Sequence, residues 1–235
     1  MKYRSVVVAS GAMAAALLMS RGVLAHVTIS SGVGFANTNQ EVTFSVGHGC
    51  AGADTSSVRV EIPAGVTSAR PARGDLGAVS VESDATGAVT AIVWQKADAD
   101  LFPTDIAYYK LLVRLKVPNQ PFTTLLFPTH QTCKAADGTV SVEDWVAPPD
   151  APGVAAGTAQ PAPQLVIVPP HQPGWNSFTV PVAADPVVFF PDALIVWQGT
   201  SAYSVNPSTT GLIAATAGVT ALTALAANDQ LWVRY

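Results

Sequence analysis

The stretch Leu111-Leu112-Val113-Arg114-Leu115-Lys116-Val117 carries the clearest strand pattern of the chain. In an extended chain, successive side chains point to opposite faces. Arg114 and Lys116 therefore share one face, and leucine and valine side chains form the other. This alternation predicts a β-strand with one buried face and one face in water.

Similar short segments, rich in β-branched residues, recur on both sides of this strand, with Gly, Pro, Asn and Asp between them. No long helical pattern precedes residue 150. About seven short strands separated by turn residues are typical of an immunoglobulin-like β-sandwich. The six clearest segments are 27–29, 42–46, 58–62, 89–94, 108–117 and 123–127.

Composition changes between residues 147 and 163, where five prolines alternate with Ala, Gly and Thr. This mixture is typical of a semi-extended linker. A second apolar block, 164–235, follows, and we expect a second small, mainly β domain of unknown role. Within it, 219–225 fits either a helical turn or part of a hairpin, and we favour the hairpin.

The first 25 residues have the pattern of a cleavable secretory signal. Lys2 and Arg4 precede an uncharged apolar run, 6–19, and Val23-Leu24-Ala25 ends in the small residue that signal peptidase prefers. The run is short for a membrane span, which is the competing interpretation. We therefore expect residues 1–25 to be removed. The product is a periplasmic or secreted protein without a transmembrane anchor, whose first residue is His26.

Signal removal makes the chain more acidic. The signal contains three of the twelve basic side chains, which leaves nine against sixteen acidic ones, a net charge of −7. Nucleic acids and anionic membranes bind basic surfaces. The charge therefore argues against both as partners.

Two cysteines remain, Cys50 and Cys133. In an exported protein, an even number of cysteines indicates a disulfide. The alternative is a reduced pair that binds zinc together with the nearby His48 and His130. The spacing differs from that of a zinc finger, so we favour the disulfide.

A histidine at a free N-terminus is a half-formed copper site. Its α-amino group and imidazole Nδ1 can chelate one metal ion. Cu(II) favours tetragonal nitrogen and oxygen ligands and binds most strongly among the divalent first-row metals. His26 is therefore a candidate Cu(II) ligand, unless cleavage exposes a histidine by chance.

Several segments, in the same order along the chain, resemble the YcnI-like periplasmic copper-binding proteins. The resemblance covers about residues 26–146 and does not extend past the linker. The matching segments are His26-Val27-Thr28-Ile29, Val46 to Thr55, the run "VRVEIPAGV" at 58–66, Gln131-Thr132-Cys133, Gly138 and Trp145.

The resemblance implies a sandwich with a single-histidine brace for Cu(II). His26 would supply the amine and imidazole, Glu41 the carboxylate, and Trp145 an indole face against the ion. Residues 30–40 depart from the family's usual proline-bearing stretch, and the family's Gly-Trp after "IPAGV" is missing. The ordinary alternatives are a core tryptophan and a solvated glutamate.

We therefore expect a non-enzymatic protein that buffers, traffics or delivers copper, in contact with other periplasmic or membrane copper-handling proteins. The sequence lacks the serine-hydrolase elbow, the His-Glu-x-x-His motif and a phosphate-binding loop. Two alternatives remain open. One is a copper-dependent polysaccharide-active enzyme, which needs a second histidine from His48, His130 or His171. The other is a metal-free adhesion or interaction protein of two β domains.

Overall fold

The structure, a computed structural model, describes residues 26–148 and 160–235. The predicted signal, 1–25, and most of the predicted linker lie outside the described residues. The strands are β1 Val27–Ile29, β2 Gly34–Phe35, β3 Asn39–Val46, β4 Asp54–Glu61, β5 Thr67–Pro71, β6 Ala78–Ser83, β7 Val89–Gln95, β8 Tyr109–Lys116, β9 Thr123–Leu126, β10 Thr129–Lys134, β11 Val140–Trp145, β12 Gln164–Val168, β13 Trp175–Thr179, β14 Ile195–Gln198, β15 Ser201–Tyr203, β16 Thr220–Ala221 and β17 Gln230–Arg234. The helices are α1 Pro186–Phe189 and α2 Pro207–Ala215.

Two sheets pack face to face in the N-terminal part. One has the strand order β1-β3-β8-β5, and the other has the order β11-β10-β4-β7-β6. Strand β8 contains the stretch that first indicated a strand, and it pairs antiparallel with β3 from Asn39↔Lys116 to Val46↔Tyr109. The predicted all-β, immunoglobulin-like sandwich is confirmed.

The core of the sandwich is filled from both sheets. On β8, Leu111, Val113 and Leu115 are buried, whereas Arg114 is exposed, as the alternation predicted. The ring of Phe44 on β3 meets the edge of Phe127 with 5.3 Å between ring centroids. Such contacts between large apolar side chains supply most of the driving force for folding.

Strand β12 lies between the two halves of the described chain. It pairs antiparallel with β9 and parallel with β2. Leu165 and Ile167 pack into the sandwich core, and Val168 packs into the second core. The ends of the predicted linker also pair, since Ala147 N–H donates to the Gln160 carbonyl (3.0 Å). The segment predicted to open the second domain therefore joins both cores, while the proposed domain limits stay a prediction.

The C-terminal sheet has the strand order β13-β17-β14-β15-β16. Its core includes Phe190 and also Phe122, which directly precedes β9 and lies 5.8 Å from Phe190 between ring centroids. Strand β16 pairs parallel with β15, so the hairpin expected at 219–225 does not form. Of the described helices, none is long and apolar enough to cross a membrane.

Helix α2 was not predicted, although a start signal for it is present. The Asn206 side chain caps the helix by accepting from the N–H groups of Ser208 and Thr209, and Pro207 occupies the first turn. The helix itself contains Ser, Thr and Gly, which favour helices weakly, and has no apolar stripe. Periodicity therefore could not reveal it.

Candidate metal centre

His26 lies at one edge of the sandwich. It directly precedes β1, an edge strand whose Val27 pairs with Val46 on β3. The residue is exposed. Its ring lies 5.3 Å from the ring of Trp145, measured between centroids, with a tilt of 40°. The structure thus brings together the first and last residues of the family resemblance.

Trp145 reaches this edge from the other sheet. It ends β11, the edge strand of the five-stranded sheet, so β1 and β11 lie on the same side of the sandwich. The side chain is 1% exposed, and its Nε1 donates to Gln131 Oε1 (3.2 Å). Because the indole N–H is already bound inside the protein, the indole can meet an ion at the edge only with its ring.

Gln131 holds the tryptophan in place and is itself buried. Its amide nitrogen donates to the carbonyl oxygen of His48 (2.8 Å) and to the Thr55 hydroxyl (2.9 Å). The side chain thereby connects β10, β4, β11 and the segment before Cys50. In the sequence, Gln131 stands out only as part of the Gln131-Thr132-Cys133 motif, from which no role was predicted. The available signal was a polar residue two positions before Cys133 in that motif.

Cys50 and Cys133 form a disulfide, with an S–S distance of 2.00 Å. The predicted disulfide is confirmed, and the sulfur atoms of the alternative zinc site are bonded to each other.

His130 lies on the face of β10 opposite to Gln131, because neighbouring residues of a strand alternate. Its Nδ1 lies 2.6 Å from Asp144 Oδ1. Gln131 bonds the His48 carbonyl on the other face of β10, so His130 points away from the segment that contains His48.

Glu41 lies away from His26. It pairs with Arg114 near the start of β3, and it is five residues from Val46, the partner of Val27. At about 3.3 Å per residue, this separation is roughly 17 Å along the strand. The structure therefore does not bring Glu41 to His26 and Trp145.

Another carboxylate lies closer to the tryptophan. Glu143 is two residues before Trp145 on β11, so both side chains are on the same face of that strand. Its carboxylate accepts a hydrogen bond from the Gln160 amide. We call His26, Glu143 and Trp145 the edge site.

The edge site can supply a metal ion with few side-chain ligands. Among residues 26–148 and 160–235, no three His, Cys, Asp or Glu side chains are grouped so that they could hold a metal ion. The brace that the family resemblance implies uses the α-amino group, one imidazole and one carboxylate. In the edge site, His26 carries the imidazole, and Glu143 carries a carboxylate on the same face of β11 as Trp145.

Residues 26–167 match the model of a domain of unknown function, DUF1775. The chain belongs to the DUF1775 family. The matched region contains the whole edge site and continues into β12, the strand that joins both cores. The family description names no ligand.

The chain is similar to several solved structures. An uncharacterized immunoglobulin-like protein from Nocardia farcinica is 25% identical, with a TM-score of 0.48, and the match covers 60% of this chain and 97% of that one. The major pilin subunit of Bacillus cereus is 11% identical, with a TM-score of 0.38, and the match covers 89% of this chain and 55% of that one. No curated protein matches the chain.

Proposed function

We propose that the mature protein binds Cu(II) at the edge site and buffers, traffics or delivers copper outside the cytoplasm. The observation that supports this most directly is the contact between the rings of His26 and Trp145, 5.3 Å apart. Two edge strands, one from each sheet, are needed to form it. Copper is the cargo of this protein, so the site must both hold and release it.

His26 supplies two nitrogen ligands in this proposal. Cleavage after Ala25 frees its α-amino group, which together with the imidazole Nδ1 closes a chelate ring around Cu(II). Both nitrogens bind protons at low pH, and a protonated nitrogen has no lone pair for the metal. Affinity therefore falls as the pH decreases.

Trp145 shields one side of the ion. Its ring is fixed by the hydrogen bond to Gln131, so it can cover the site without a rearrangement. The electron-rich face of an indole attracts a cation, and the ring excludes water. Removing such an outer partner typically lowers metal affinity by about 10- to 100-fold.

A carboxylate completes the site by adding negative charge next to Cu(II). Glu143 is our candidate because it shares a face of β11 with Trp145. The Glu41 implied by the family resemblance lies roughly 17 Å along β3 from Val46, which pairs with Val27 next to His26. The two glutamates form a natural pair for comparison. Glu143→Gln is expected to weaken Cu(II) binding, and Glu41→Gln is expected to leave it unchanged.

The first experiment is a Cu(II) titration of the exported protein, with its N-terminus verified by mass spectrometry. Electron paramagnetic resonance is expected to show one copper per chain with nitrogen ligands. The control is the same protein with one extra residue before His26, which displaces the α-amino group. Identical spectra for both proteins would refute the N-terminal site, and no binding in either would favour a metal-free interaction protein.

The proposal requires no chemistry on a substrate. A copper-dependent polysaccharide oxidase completes its brace with a second imidazole. Here Gln131 faces Trp145. Its neighbour His130 therefore points to the opposite side of β10, away from the edge site. We expect the copper-loaded protein to release no oxidised sugars from polysaccharide in the presence of a reductant. Release of such products that depends on His26 would establish the enzyme instead.

Partners of the protein follow from the same role. A copper carrier has to exchange its ion with periplasmic or membrane copper-handling proteins. The exposed position of His26 leaves one side of the ion accessible for such exchange. Transfer of Cu(II) to a competing chelator is expected to be faster than unfolding of the protein.

A further inference from the structure

Three polar side chains meet inside the sandwich, where strands of both sheets begin or end. Asp54 is the first residue of β4, and Lys96 directly follows β7, its neighbour in the five-stranded sheet. Tyr109 is the first residue of β8 in the opposite sheet. We call Asp54, Lys96 and Tyr109 the buried cluster.

The buried cluster is closed to water and tightly connected. Lys96 Nζ lies 2.5 Å from Asp54 Oδ2, and the two side chains are 3% and 0% exposed. The Tyr109 hydroxyl donates to Asp54 Oδ1 (2.8 Å) and accepts from Lys96 Nζ. The backbone N–H of Phe102 also donates to Oδ2 (2.9 Å).

We propose that Lys96 and Asp54 condense in the folded protein to form an intramolecular isopeptide bond between Nζ and Cγ. A carboxyl C–O bond is about 1.2 Å long, so Cγ lies no more than about 3.7 Å from Nζ. Reacting atoms about 3–3.5 Å apart are in a near-attack arrangement. Both side chains are buried, so the fold keeps the amine within about 3.7 Å of Cγ, close to that range.

The reaction is a dehydration that needs no oxidant or reductant. The Lys96 ammonium group passes one proton to Oδ2, which leaves a neutral amine and a neutral carboxylic acid. The nitrogen lone pair then forms the bond to Cγ, and the Cγ–Oδ2 bond breaks. Oδ2 departs as water with two of the three ammonium protons, and the third proton remains on the amide nitrogen.

The surroundings favour each part of this reaction. Two buried charges are costly to keep away from water, and the proton transfer and condensation remove both. The rings of Phe102 and Tyr109 lie 4.8 Å and 4.5 Å from Nζ, measured to their centroids, and enclose the amine. The water that forms leaves for bulk solvent. Because the cluster is buried, water from the solvent has little access to the amide and hydrolyses it slowly.

Tyr109 and the Phe102 N–H polarise the carboxyl group from two sides. Burial, together with Asp54, raises the pKa of Tyr109 well above its ordinary value, so the phenol stays protonated and keeps donating to Oδ1. Negative charge develops on Oδ1 as the amine attacks, and a fixed donor there stabilises it. The Phe102 N–H acts on Oδ2, the oxygen that leaves.

An exposed ion pair offers a matched comparison. Lys134 Nζ lies 2.7 Å from Asp98 Oδ2, but these side chains are 28% and 79% exposed. Water solvates both charges there, and no donor comparable to Tyr109 contacts the Asp98 carboxylate among the hydrogen bonds of the described residues. We expect this pair to remain an ordinary ion pair.

The bond would add a second covalent link near the disulfide. It would join β4 to the end of β7, and Cys50 lies four residues before Asp54 in the chain. A protein outside the cytoplasm gains resistance to heat and proteases from such links, because a closed loop restricts the unfolded chain.

The test is the intact mass of the wild-type mature protein, purified folded, then reduced and measured under denaturing conditions. The expected mass is lower by one water than that calculated from residues 26–235. A tryptic digest is expected to contain one branched peptide that carries both Asp54 and Lys96. Trypsin does not cut after Lys96 once its amine is acylated.

Two variants identify the residues involved. Lys96→Arg keeps the positive charge, but its guanidinium does not lose a proton in proteins, so we expect the full calculated mass. Lys134→Arg alters the exposed pair, and we expect the water loss to remain. The full calculated mass in the wild-type protein overturns the proposal. So does a water loss that persists in Lys96→Arg, since a succinimide at another aspartate would explain it.

Discussion

The edge site and the buried cluster lie in the same sandwich and use their polar groups in opposite ways. At the edge site, His26 is exposed, and its ring lies 5.3 Å from that of Trp145. In the buried cluster, the Asp54 carboxylate accepts from Lys96, Tyr109 and the Phe102 backbone. One region remains open to an ion from solution, and the other is saturated by the protein itself.

This difference separates groups that serve binding from groups that serve stability. A ligand atom for an exchangeable ion must be accessible, and its loss changes few internal contacts. A buried polar group must have internal partners, and its loss leaves those partners without compensation. Substitution of the exposed His26 should therefore change copper binding and leave folding unchanged, and substitution in the buried cluster should do the reverse.

The largest effect on stability is expected for Asp54→Ala. The substitution leaves the Lys96 ammonium group buried without an anion, which costs at least about 3–5 kcal/mol of unfolding free energy, and it also removes the proposed covalent link. Asp98→Ala removes the partner of an exposed lysine and is expected to cost less than about 1 kcal/mol. Urea denaturation of both variants measures the two values. Equal losses would show that burial does not distinguish the two pairs.

A smaller loss of stability is expected for Trp145→Phe. Trp145 belongs to the edge site, but it is buried like the residues of the buried cluster. The variant keeps a ring beside His26 but leaves Gln131 Oε1 without its donor in a buried position. An unsatisfied buried acceptor costs about 1–3 kcal/mol. Trp232→Phe is the control, since Trp232 is exposed and its change should stay within about 0.5 kcal/mol. Unfolding free energies from urea titrations compare the two variants, and no loss in Trp145→Phe would contradict the role of Gln131.

Alkaline pH is expected to weaken the buried cluster through Tyr109. Burial first, and then the hydrogen bond to Asp54, raise the pKa of its phenol above the ordinary value of 10.0. The folded state therefore favours the protonated form. This stabilisation is complete below pH 10 and is lost as the pH rises through the raised pKa.

Tyr109→Phe tests that pH dependence. At neutral pH the variant loses a hydrogen bond, which costs about 1 kcal/mol. Above about pH 10 its stability is expected to fall less steeply than that of the wild-type protein, since it has no phenol to ionise there. Urea midpoints measured across this range give both slopes. Parallel slopes would show that another group causes the alkaline loss.

The smallest effect on stability is expected for His26→Ala. The side chain is exposed, so the unfolding free energy should change by less than about 0.5 kcal/mol. Under the proposed function, Cu(II) binding should nevertheless be lost. Denaturation and paramagnetic resonance on the same samples measure both quantities. Unchanged Cu(II) binding would move the copper site away from His26.

Local sequence patterns were sufficient to predict the sandwich and its disulfide. The alternation in 111–117 predicted β8, the recurring β-branched segments predicted an all-β fold, and the two cysteines predicted the disulfide. Each of these inferences depends on neighbouring residues or on one residue type. A period of two along a strand is a property of the local backbone, so the sequence displays it directly.

The tertiary structure decided which distant residues meet. Pairing of β3 with β1 and β8 places Glu41 far from His26, and pairing of β11 with β10 joins Trp145 to Gln131. Contact between Asp54 and Lys96 spans 42 positions of the chain. Strand register and the stacking of two sheets determine such contacts, and they arise from cooperative packing of the whole core. No local pattern around Glu41, Gln131 or Lys96 contains that information.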